Sequence, residues 1–372
     1  MQRSATLLAL GDINLSGFAQ EQFEQSMAYN ALVRQLAAYD GVTLANLECA
    51  LTTSTNLNLT KITLHANPEL LQELPRIDVF SLANNHICDA WNEGADDTVQ
   101  LLTQNGKIHF GYGRDLATAR KPAIAEKNGI RLGFLGYSCL STNGHNYATT
   151  VGSGVCPIAL EYLQTDIPLL KNHVDHVIVV LHWGVEEAHY PTPDQIAVAH
   201  RAIDLGASAI IGNHPHAIQG IEHYKGGVIC YSLGNFIFSD VDYEFLSQGN
   251  RVRLEGRMSI ANKESIGVEF AFEKDTVSLR SIKAFKLDDY FLPNEVPVDR
   301  LHVNFSKLNA SVEAYVNENS GYLGQINGPQ IVTRFSNGKS GNYYLLKPIK
   351  ADPASARLKA VLTRLLPKSL RS

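Results

Sequence analysis

An apolar run delivers two histidines separated by a single residue in the stretch Ile210-Ile211-Gly212-Asn213-His214-Pro215-His216. A short apolar run that stops at a glycine is typical of a buried strand, so both imidazoles are expected at a strand end. A single histidine in an apolar setting is more often a core residue, but a closely spaced pair is a good transition-metal ligand. The stretch therefore predicts a metal-binding segment if other ligands follow other strands in the same way.

Four other segments have this form, with a β-type apolar run followed by polar side chains that can bind a metal. The runs are 6–10, 42–47, 78–83 and 176–181, and they are followed by Asp12, by Glu48, by Asn85 with His86, and by His182. In α/β sheets, ligands bind beyond the carboxyl ends of the strands, so these side chains are expected in one cleft. Mixed carboxylate, amide and imidazole ligands favour one or two divalent ions of Mn, Fe or Zn over calcium.

The strand patterns alternate with helix patterns along the chain. Helices are predicted over 21–39, 68–74, 95–104, 158–172 and 192–206, and further strands over 129–137, 207–211 and 227–233. This alternation predicts an α/β fold with parallel pairing. From 251 to 292 the strand patterns follow one another without helices, which predicts antiparallel strands that complete a second sheet. The long polar segment 138–156 is predicted to be a loop that faces substrate.

Composition narrows the class of protein. The chain has 372 residues, of which 45% are hydrophobic, enough for one large core with or without an appendage. A formal net charge of −5 argues against a nucleic-acid partner. The five cysteines are widely spaced and are predicted to be reduced thiols. The apolar run near Met1 is too short for a signal peptide, so a cytoplasmic location is expected.

Six short segments, in this order and spacing, resemble the CapA family of poly-γ-glutamate capsule synthesis proteins, whose domain is similar to calcineurin-like metallophosphoesterases. They are Gly-Asp-Ile-Asn-Leu-Ser-Gly (11–17), Asn-Leu-Glu (46–48), Ala-Asn-Asn-His-Ile-Cys-Asp (83–89), His-Trp-Gly-Val-Glu (182–186), Gly-Asn-His-Pro-His (212–216) and Tyr-Ser-Leu-Gly-Asn-Phe (231–236). The resemblance covers roughly residues 5 to 290. It implies a four-layer α/β/β/α sandwich of two mixed sheets, metallophosphatase-like, over residues 1–295. Within it, 5–240 would be the core, 241–295 would supply strands that complete the second sheet, and 296–372 would be a C-terminal extension.

The resemblance also implies roles for the residues at the strand ends. One metal site would consist of Glu48, Asn85, His182 and His214, and the other of Asp12, Glu48 and His216, with Glu48 shared. His86 would bind no metal and would act as proton donor or charge stabiliser beside the leaving group. Other residues are expected near the ligands or the substrate: Asn14, Asn84, Asp89, Glu186, Ser232 and Asn235.

Some of these residues have simpler interpretations. Asp12 could cap the following helix, and Asn85 could be a turn residue in a left-handed conformation. Trp183 is expected to pack against the sheet. Asn14 stands where phosphoesterases usually have a histidine, and an amide binds a transition metal less well, so the second metal site is expected to be weaker.

The function implied by the resemblance is that of a metal-dependent hydrolase or transferase in capsule biosynthesis. Its substrate would be an anionic polymer or a phosphorylated or γ-glutamyl compound, and other capsule-synthesis proteins would be its partners. Two alternatives stay open: a non-catalytic scaffold or polymer-binding component, and a metal-dependent γ-amide hydrolase.

The tail from Gly338 to Ser372 holds eight Lys or Arg and a single acid, Asp352. After Asp352-Pro353, a helix is predicted with leucines on one face and basic residues elsewhere. Such a basic amphipathic helix could lie on an anionic membrane surface, which would make the protein peripheral at the membrane. Docking on its own domain or on a partner is the alternative, and it is the favoured one.

Overall fold

Two large β-sheets organise the computed structural model, which describes residues 3–18, 23, 31–142, 146–247 and 250–323. The strands in chain order are β1 Ser4–Ile13, β2 Val42–Leu47, β3 Ala50–Leu51, β4 His65–Ala66, β5 Val79–Ser81, β6 Ile108–Phe110, β7 Tyr112–Gly113, β8 Ala123–Lys127, β9 Ile130–Ser138, β10 Gly154–Val155, β11 His176–His182, β12 Ala209–Asn213, β13 Ile221–Tyr224, β14 Gly227–Cys230, β15 Asn235–Ile237, β16 Val241–Ser247, β17 Asn250–Gly256, β18 Glu264–Glu273, β19 Val277–Leu287 and β20 Pro293–Val296. The α-helices are α1 Ala31–Ala37, α2 Trp91–Gln104, α3 Leu116–Ala119, α4 Leu160–Lys171, α5 Pro193–Asp204 and α6 Phe305–Leu323. Short 3₁₀ helices cover Pro68–Glu73, Leu140–Thr142, Ala261–Lys263 and Val298–Arg300.

Both large sheets are mixed. The first has the order β20-β19-β18-β1-β2-β5-β6, with β15 also paired to β1. Strands β1, β2, β5 and β6 are parallel, whereas β18, β19 and β20 are antiparallel. The second sheet has the order β13-β14-β12-β11-β9-β8, in which only the two edge strands are antiparallel. The predicted parallel crossover units are therefore present in both sheets.

Three apolar cores separate four layers. The central core lies between the sheets and combines residues of β1 such as Leu7 with residues of β11 such as Val180. A second core joins the other face of the first sheet, with Leu8, to α1 and α2. A third joins the outer face of the second sheet, with Val179, to α4, α5 and α6. Neighbouring residues of one strand alternate between two cores because successive side chains point to opposite faces. The predicted α/β/β/α sandwich is confirmed.

The region after β15 differs from the prediction of strands that complete the second sheet. Strands β16 and β17 pair with each other and with neither large sheet, whereas β18 to β20 extend the sheet that contains β1. Alternating apolar residues predict a strand but not its pairing partner, which is fixed by tertiary packing.

Two helical segments have informative ends. The predicted capping box is present at α5, where Thr192 accepts from the Gln195 backbone and the Gln195 side chain accepts from the Thr192 backbone. The second helical segment follows its cap residue Asn67; it is a 3₁₀ helix and ends at Glu73.

The predicted extension from residue 296 contains helix α6, which packs Val312 into the third core. Among the described residues, no helix has the length and apolarity that a bilayer crossing requires. The predicted tail helix after Asp352 lies outside the described residues.

Candidate metal centre

The carboxyl ends of β1, β2, β11 and β12 meet at one edge of the sandwich. In the first sheet Asp12 lies opposite both Asn46 and Asn235, and in the second His182 lies opposite Asn213. The two sheets are linked at this point, because the backbone N–H of His214 donates to Oδ2 of Asp12 at 3.3 Å. Gly212 permits the close approach of neighbouring chain here, since a Cβ at this position would clash with the carbonyl oxygen of Tyr231.

Two buried carboxylates lie in the interior of the centre. Asp12 and Glu48 are both 0% exposed. The Nδ2 of Asn46 donates to Oδ1 of Asp12 at 2.8 Å and to Oε2 of Glu48 at 3.3 Å. The other oxygen of Glu48, Oε1, lies 3.4 Å from Nε2 of His182 and 3.6 Å from Nε2 of His216. Among the described residues it has no hydrogen-bond partner, although it is buried.

Three histidines face these carboxylates. The ring centroids of His182 and His214 are 4.8 Å apart, and those of His214 and His216 are 6.0 Å apart. His214 and His216 have φ angles of 95° and 54°, in the left-handed region that non-glycine residues rarely adopt. Such strain is typical of functional sites, where the surrounding structure imposes it. The Nδ1 atom of His214 is buried and has no hydrogen-bond partner among the described residues.

The side chains form two overlapping groups whose ligand atoms all lie within 4.8 Å of one another. One group is Glu48, His214 and His216, and the other is Asp12, Glu48 and His182. Glu48 is common to both groups, as the resemblance implies. Relative to the implied sets, His182 and His216 are exchanged between the groups, although Nδ1 of His216 also lies 3.6 Å from Oδ2 of Asp12. Oδ1 of Asn85 lies 2.7 Å from Nε2 of His182. Oε1 of Glu48 and Nδ1 of His214 are buried and have no hydrogen-bond partner among the described residues. Carboxylate and imidazole ligands of this kind fit a divalent ion of Mn, Fe or Zn.

Burial and mutual repulsion shift the acidities of these groups. Burial, and then the charge of Asp12, raise the pKa of Glu48 well above its ordinary value. Burial lowers the pKa of His182 to about 3 and holds that of His214 well below its usual range. Burial alone would also lower the pKa of His216, but the carboxylates of Glu48 and Asp12 outweigh it and raise this pKa to about 9. In the metal-free centre Glu48 and His216 therefore both keep a proton to a higher pH than the free side chains do.

Metal binding is expected to displace the proton of His216, because a ligating imidazole must be neutral. Below about pH 9 the metal-free His216 is charged, so the apparent affinity for Mn²⁺ should rise by up to about tenfold per pH unit and level off above that pH. Titration calorimetry in buffers of different ionisation enthalpy measures the released protons. His216→Ala should lower the number of protons released. An affinity for Mn²⁺ that does not change between neutral pH and pH 9 would contradict this assignment.

His86 lies beside the two metal-ligand groups and belongs to neither of them. Its Nδ1 is 2.6 Å from Oδ2 of Asp89, whose Oδ1 pairs with Nζ of Lys61 at 2.6 Å. Burial, and then the charge of Lys61, lower the pKa of His86 to about 4. The ring is therefore neutral near pH 7, and its contact with a carboxylate places the proton on Nδ1. Nε2 is then the ring nitrogen that can accept a proton.

The remaining predicted residues divide by what they contact. Asn235 accepts at Oδ1 from Nδ1 of His216 at 2.9 Å. Asn84 donates to Asn46 and to the carbonyl of Leu47 and accepts two backbone N–H groups, which fixes the 84–87 turn.

Asn14, Ser232 and Glu186 are placed differently. Asn14 accepts from the Ser16 backbone at 2.9 Å, and Ser232 accepts from the Gly234 backbone at 3.4 Å, so both hold local turns. Glu186 is exposed and contributes negative charge near Glu48 and His216.

The sequence did not single out three residues that contact the centre. Asn46 lies inside the quoted Asn-Leu-Glu segment, two residues before Glu48 and therefore on the same side of the strand, which was a usable signal. Asn262 donates to the carbonyl of His216 at 3.0 Å and accepts from Asn235 at 3.0 Å. Lys61 lies in an irregular segment, and no local pattern predicted its position.

The expected packing of Trp183 is present: its ring is buried and its Nε1–H donates to the carbonyl of Tyr231 at 3.1 Å.

Comparison with known proteins places the chain in a family. The profile of the family described as "Bacterial capsule synthesis protein PGA_cap" matches residues 6–240. The chain belongs to this family. The resemblance inferred from the six segments is thereby confirmed.

The chain is similar to two curated relatives and to one solved structure. The chain is 34% identical over 164 residues to capsule biosynthesis protein CapA of Bacillus anthracis, covering 43% of this chain and 40% of that protein. It is 32% identical over 237 residues to PGA biosynthesis protein CapA of Bacillus subtilis, covering 62% of each chain. The chain thus spans less than two thirds of the length of these curated relatives. A putative 5′-nucleotidase from Staphylococcus aureus shares 13% identity at a TM-score of 0.45, over 84% of this chain and 59% of that one.

Proposed function

We propose that this protein is a metal-dependent hydrolase or transferase in capsule synthesis that acts on an anionic surface polymer or on a phosphorylated or γ-glutamyl precursor of it. One observation carries the proposal. The buried carboxylates Asp12 and Glu48 converge with three histidines, and Oε1 of Glu48 faces two of them without a hydrogen bond. A buried carboxylate oxygen that lacks a donor is costly unless it has a cation as partner, so the arrangement favours metal binding.

A divalent ion at this centre would define the class of reaction. A divalent ion held by Asp12, Glu48 and the three histidines would supply Lewis-acid activation of water and of the group under attack. The protein contributes a closed, preorganised set of ligands: Asn46 fixes both carboxylates, and Asn235 fixes the ring of His216. Such fixed polar groups stabilise developing charge without having to reorganise during the reaction.

His86 supplies the proton transfer in this proposal. Because Asp89 holds Nδ1–H, Nε2 is the nitrogen that would take a proton from the attacking water, and the resulting imidazolium would give that proton to the leaving oxygen. Asp89 also stabilises the transient imidazolium, as an acid does behind a catalytic histidine.

The names of the relatives support the polymer class. Both Bacillus proteins are named for capsule or PGA biosynthesis, and a Mycobacterium tuberculosis relative is named a probable polyglutamine synthesis accessory protein. A substrate from this pathway is negatively charged, and a bound divalent cation would attract it. Other proteins of capsule synthesis are the proposed partners.

The test measures bound metal and turnover on the purified full chain. About one or two Mn²⁺ ions per chain are expected, together with hydrolysis of a nitrophenyl phosphoester that stops on chelation. A γ-glutamyl anilide assayed in parallel tests the γ-amide hydrolase alternative. Bound metal with turnover of the anilide only would move the reaction to amides. Absence of both metal and turnover would overturn the proposal.

One observation favours the non-catalytic scaffold as a second candidate. The side-chain oxygen of Asn14 already accepts from the Ser16 backbone, which leaves its Nδ2 as a buried donor without a hydrogen-bond partner among the described residues. A donor group cannot ligate a cation. If only one ion binds and no substrate turns over, the centre would be structural, and the chain would act by binding the polymer.

A further inference from the structure

Lys61 is a largely buried cation whose position the sequence patterns at the strand ends did not predict. It lies between β3 and β4, in a segment without regular structure, and its side chain is 10% exposed. Its Nζ pairs with Oδ1 of Asp89 at 2.6 Å and also donates to the backbone carbonyl of Asn85. One ammonium group thus contacts both the residue behind His86 and the main chain of a candidate metal ligand.

The carboxylate of Asp89 is held from several sides. Oδ2 contacts Nδ1 of His86 at 2.6 Å and accepts the backbone N–H of Leu64 at 2.6 Å, while Oδ1 faces Lys61. Asp89 itself is 1% exposed. Without Lys61, Oδ1 of this buried carboxylate would lose its charged partner, and only the contacts of Oδ2 would remain to orient the carboxylate. The orientation of the His86 ring depends on that carboxylate, so it depends on Lys61 as well.

Attachment of the loop does not depend on Lys61. The backbone N–H of Asn58 donates to the carbonyl of Asp89 at 2.8 Å, and Leu64 donates to the side chain of Asp89, so main-chain groups on both sides of Lys61 hold the segment. Removal of the Lys61 side chain therefore leaves the segment docked. The ammonium group of Lys61 is therefore not needed to anchor the loop, and its effect falls on Asp89 and the backbone of Asn85.

We propose that Lys61 is a positioning residue that acts through Asp89 and the Asn85 backbone to hold the His86 ring and the Asn85 amide in their working orientation. This inference rests on the proposed function for its kinetic consequences. Its structural part concerns only the contacts of Lys61, Asp89 and His86, which can be examined in metal-free protein.

The kinetic test compares Lys61→Ala with Arg120→Met. The control breaks a comparable ion pair, since Arg120 lies 2.6 Å from Asp166 and neither residue contacts the metal centre. Loss of a group that orients a ligand or catalytic side chain costs about 10- to 100-fold, so Lys61→Ala should lower kcat by that factor with KM nearly unchanged. Added n-propylammonium should restore kcat by filling the space of the lost side chain, whereas n-propanol should not. Arg120→Met should retain kcat.

The spectroscopic test needs no turnover. In metal-free protein with ¹⁵N-labelled histidine, His86 should show widely separated Nδ1 and Nε2 shifts, as a single neutral tautomer requires, assigned by their loss in His86→Ala. In Lys61→Ala the two shifts should move toward each other, because a loosened carboxylate no longer holds the proton on Nδ1 and permits tautomer exchange. Unchanged shifts would overturn the proposal, as would equal losses of kcat in Lys61→Ala and Arg120→Met. If the wild-type protein shows no turnover but the shifts respond to Lys61, the proposed function fails and the positioning role stands.

Discussion

Glu48→Gln is expected to abolish metal binding and turnover while making the metal-free protein more stable. Glu48 is common to both candidate ligand groups, so its loss affects every ion the centre could hold. Loss of a residue that only supports a ligand costs about 10- to 100-fold in affinity, and removal of a shared ligand should cost more than about 100-fold. Turnover should fall to the background rate.

The gain in stability follows from the raised pKa of Glu48. Because burial and Asp12 raise this pKa in the folded protein, the folded state holds a proton that the unfolded chain releases as pH rises above the ordinary glutamate value. Wild-type stability therefore falls with increasing pH through that range, whereas glutamine has no such proton. The advantage of Glu48→Gln should grow with pH and reach about 1–3 kcal/mol, the cost of an unpaired buried polar group.

Calorimetric titration with Mn²⁺ and thermal melts at several pH values measure both effects. Glu126→Gln is the matched control, since Glu126 is exposed on the edge strand β8 and should change neither. Metal affinity within a few-fold of wild type in Glu48→Gln would exclude Glu48 as a shared ligand. A lower melting temperature of the metal-free variant would show that Glu48 has a stabilising partner.

His86→Ala is expected to separate catalysis from metal binding. His86 belongs to neither ligand group, and its Nδ1 is engaged by Asp89, so the number of bound ions should stay the same. Proton transfer by a positioned side chain contributes about 10²- to 10⁴-fold, and kcat for a phosphoester should fall by that factor.

Metal analysis and steady-state kinetics on the same preparation measure this separation. His223→Ala is the control, because His223 is exposed on β13. Loss of bound metal in His86→Ala would make His86 a ligand. Unchanged kcat would remove it from the proton transfer.

The four-layer architecture could be predicted because each strand carries the signal locally. In β1, Leu7 and Leu8 point to different cores, and an apolar run without polar alternation is what a strand buried on both faces requires. The partner of a strand has no such local signal. Strands β18 to β20 joined β1, and β16 with β17 formed a separate hairpin, because side-chain packing over long sequence separations decides the pairing.

Membership of the candidate site was predictable for residues at strand ends, since parallel strands bring their carboxyl ends to one edge. The grouping of the ligands was not. His182, His214 and His216 all lie near Glu48, and His216 also lies 3.6 Å from Asp12, so the division of ligands between two sites depends on tertiary geometry that the sequence does not reveal. Lys61 was missed for a related reason: an irregular segment has no periodicity, so only tertiary contacts place its side chain against Asp89.

The central claim is that one buried cleft, lined from both sheets, holds divalent cations at Glu48. The most direct measurement is an anomalous difference map from crystals of the full chain soaked in Mn²⁺. We predict a strong peak in contact with Glu48 and with at least one of His182, His214 and His216. A map that shows no peak at Glu48, with manganese only at surface carboxylates, would contradict the claim.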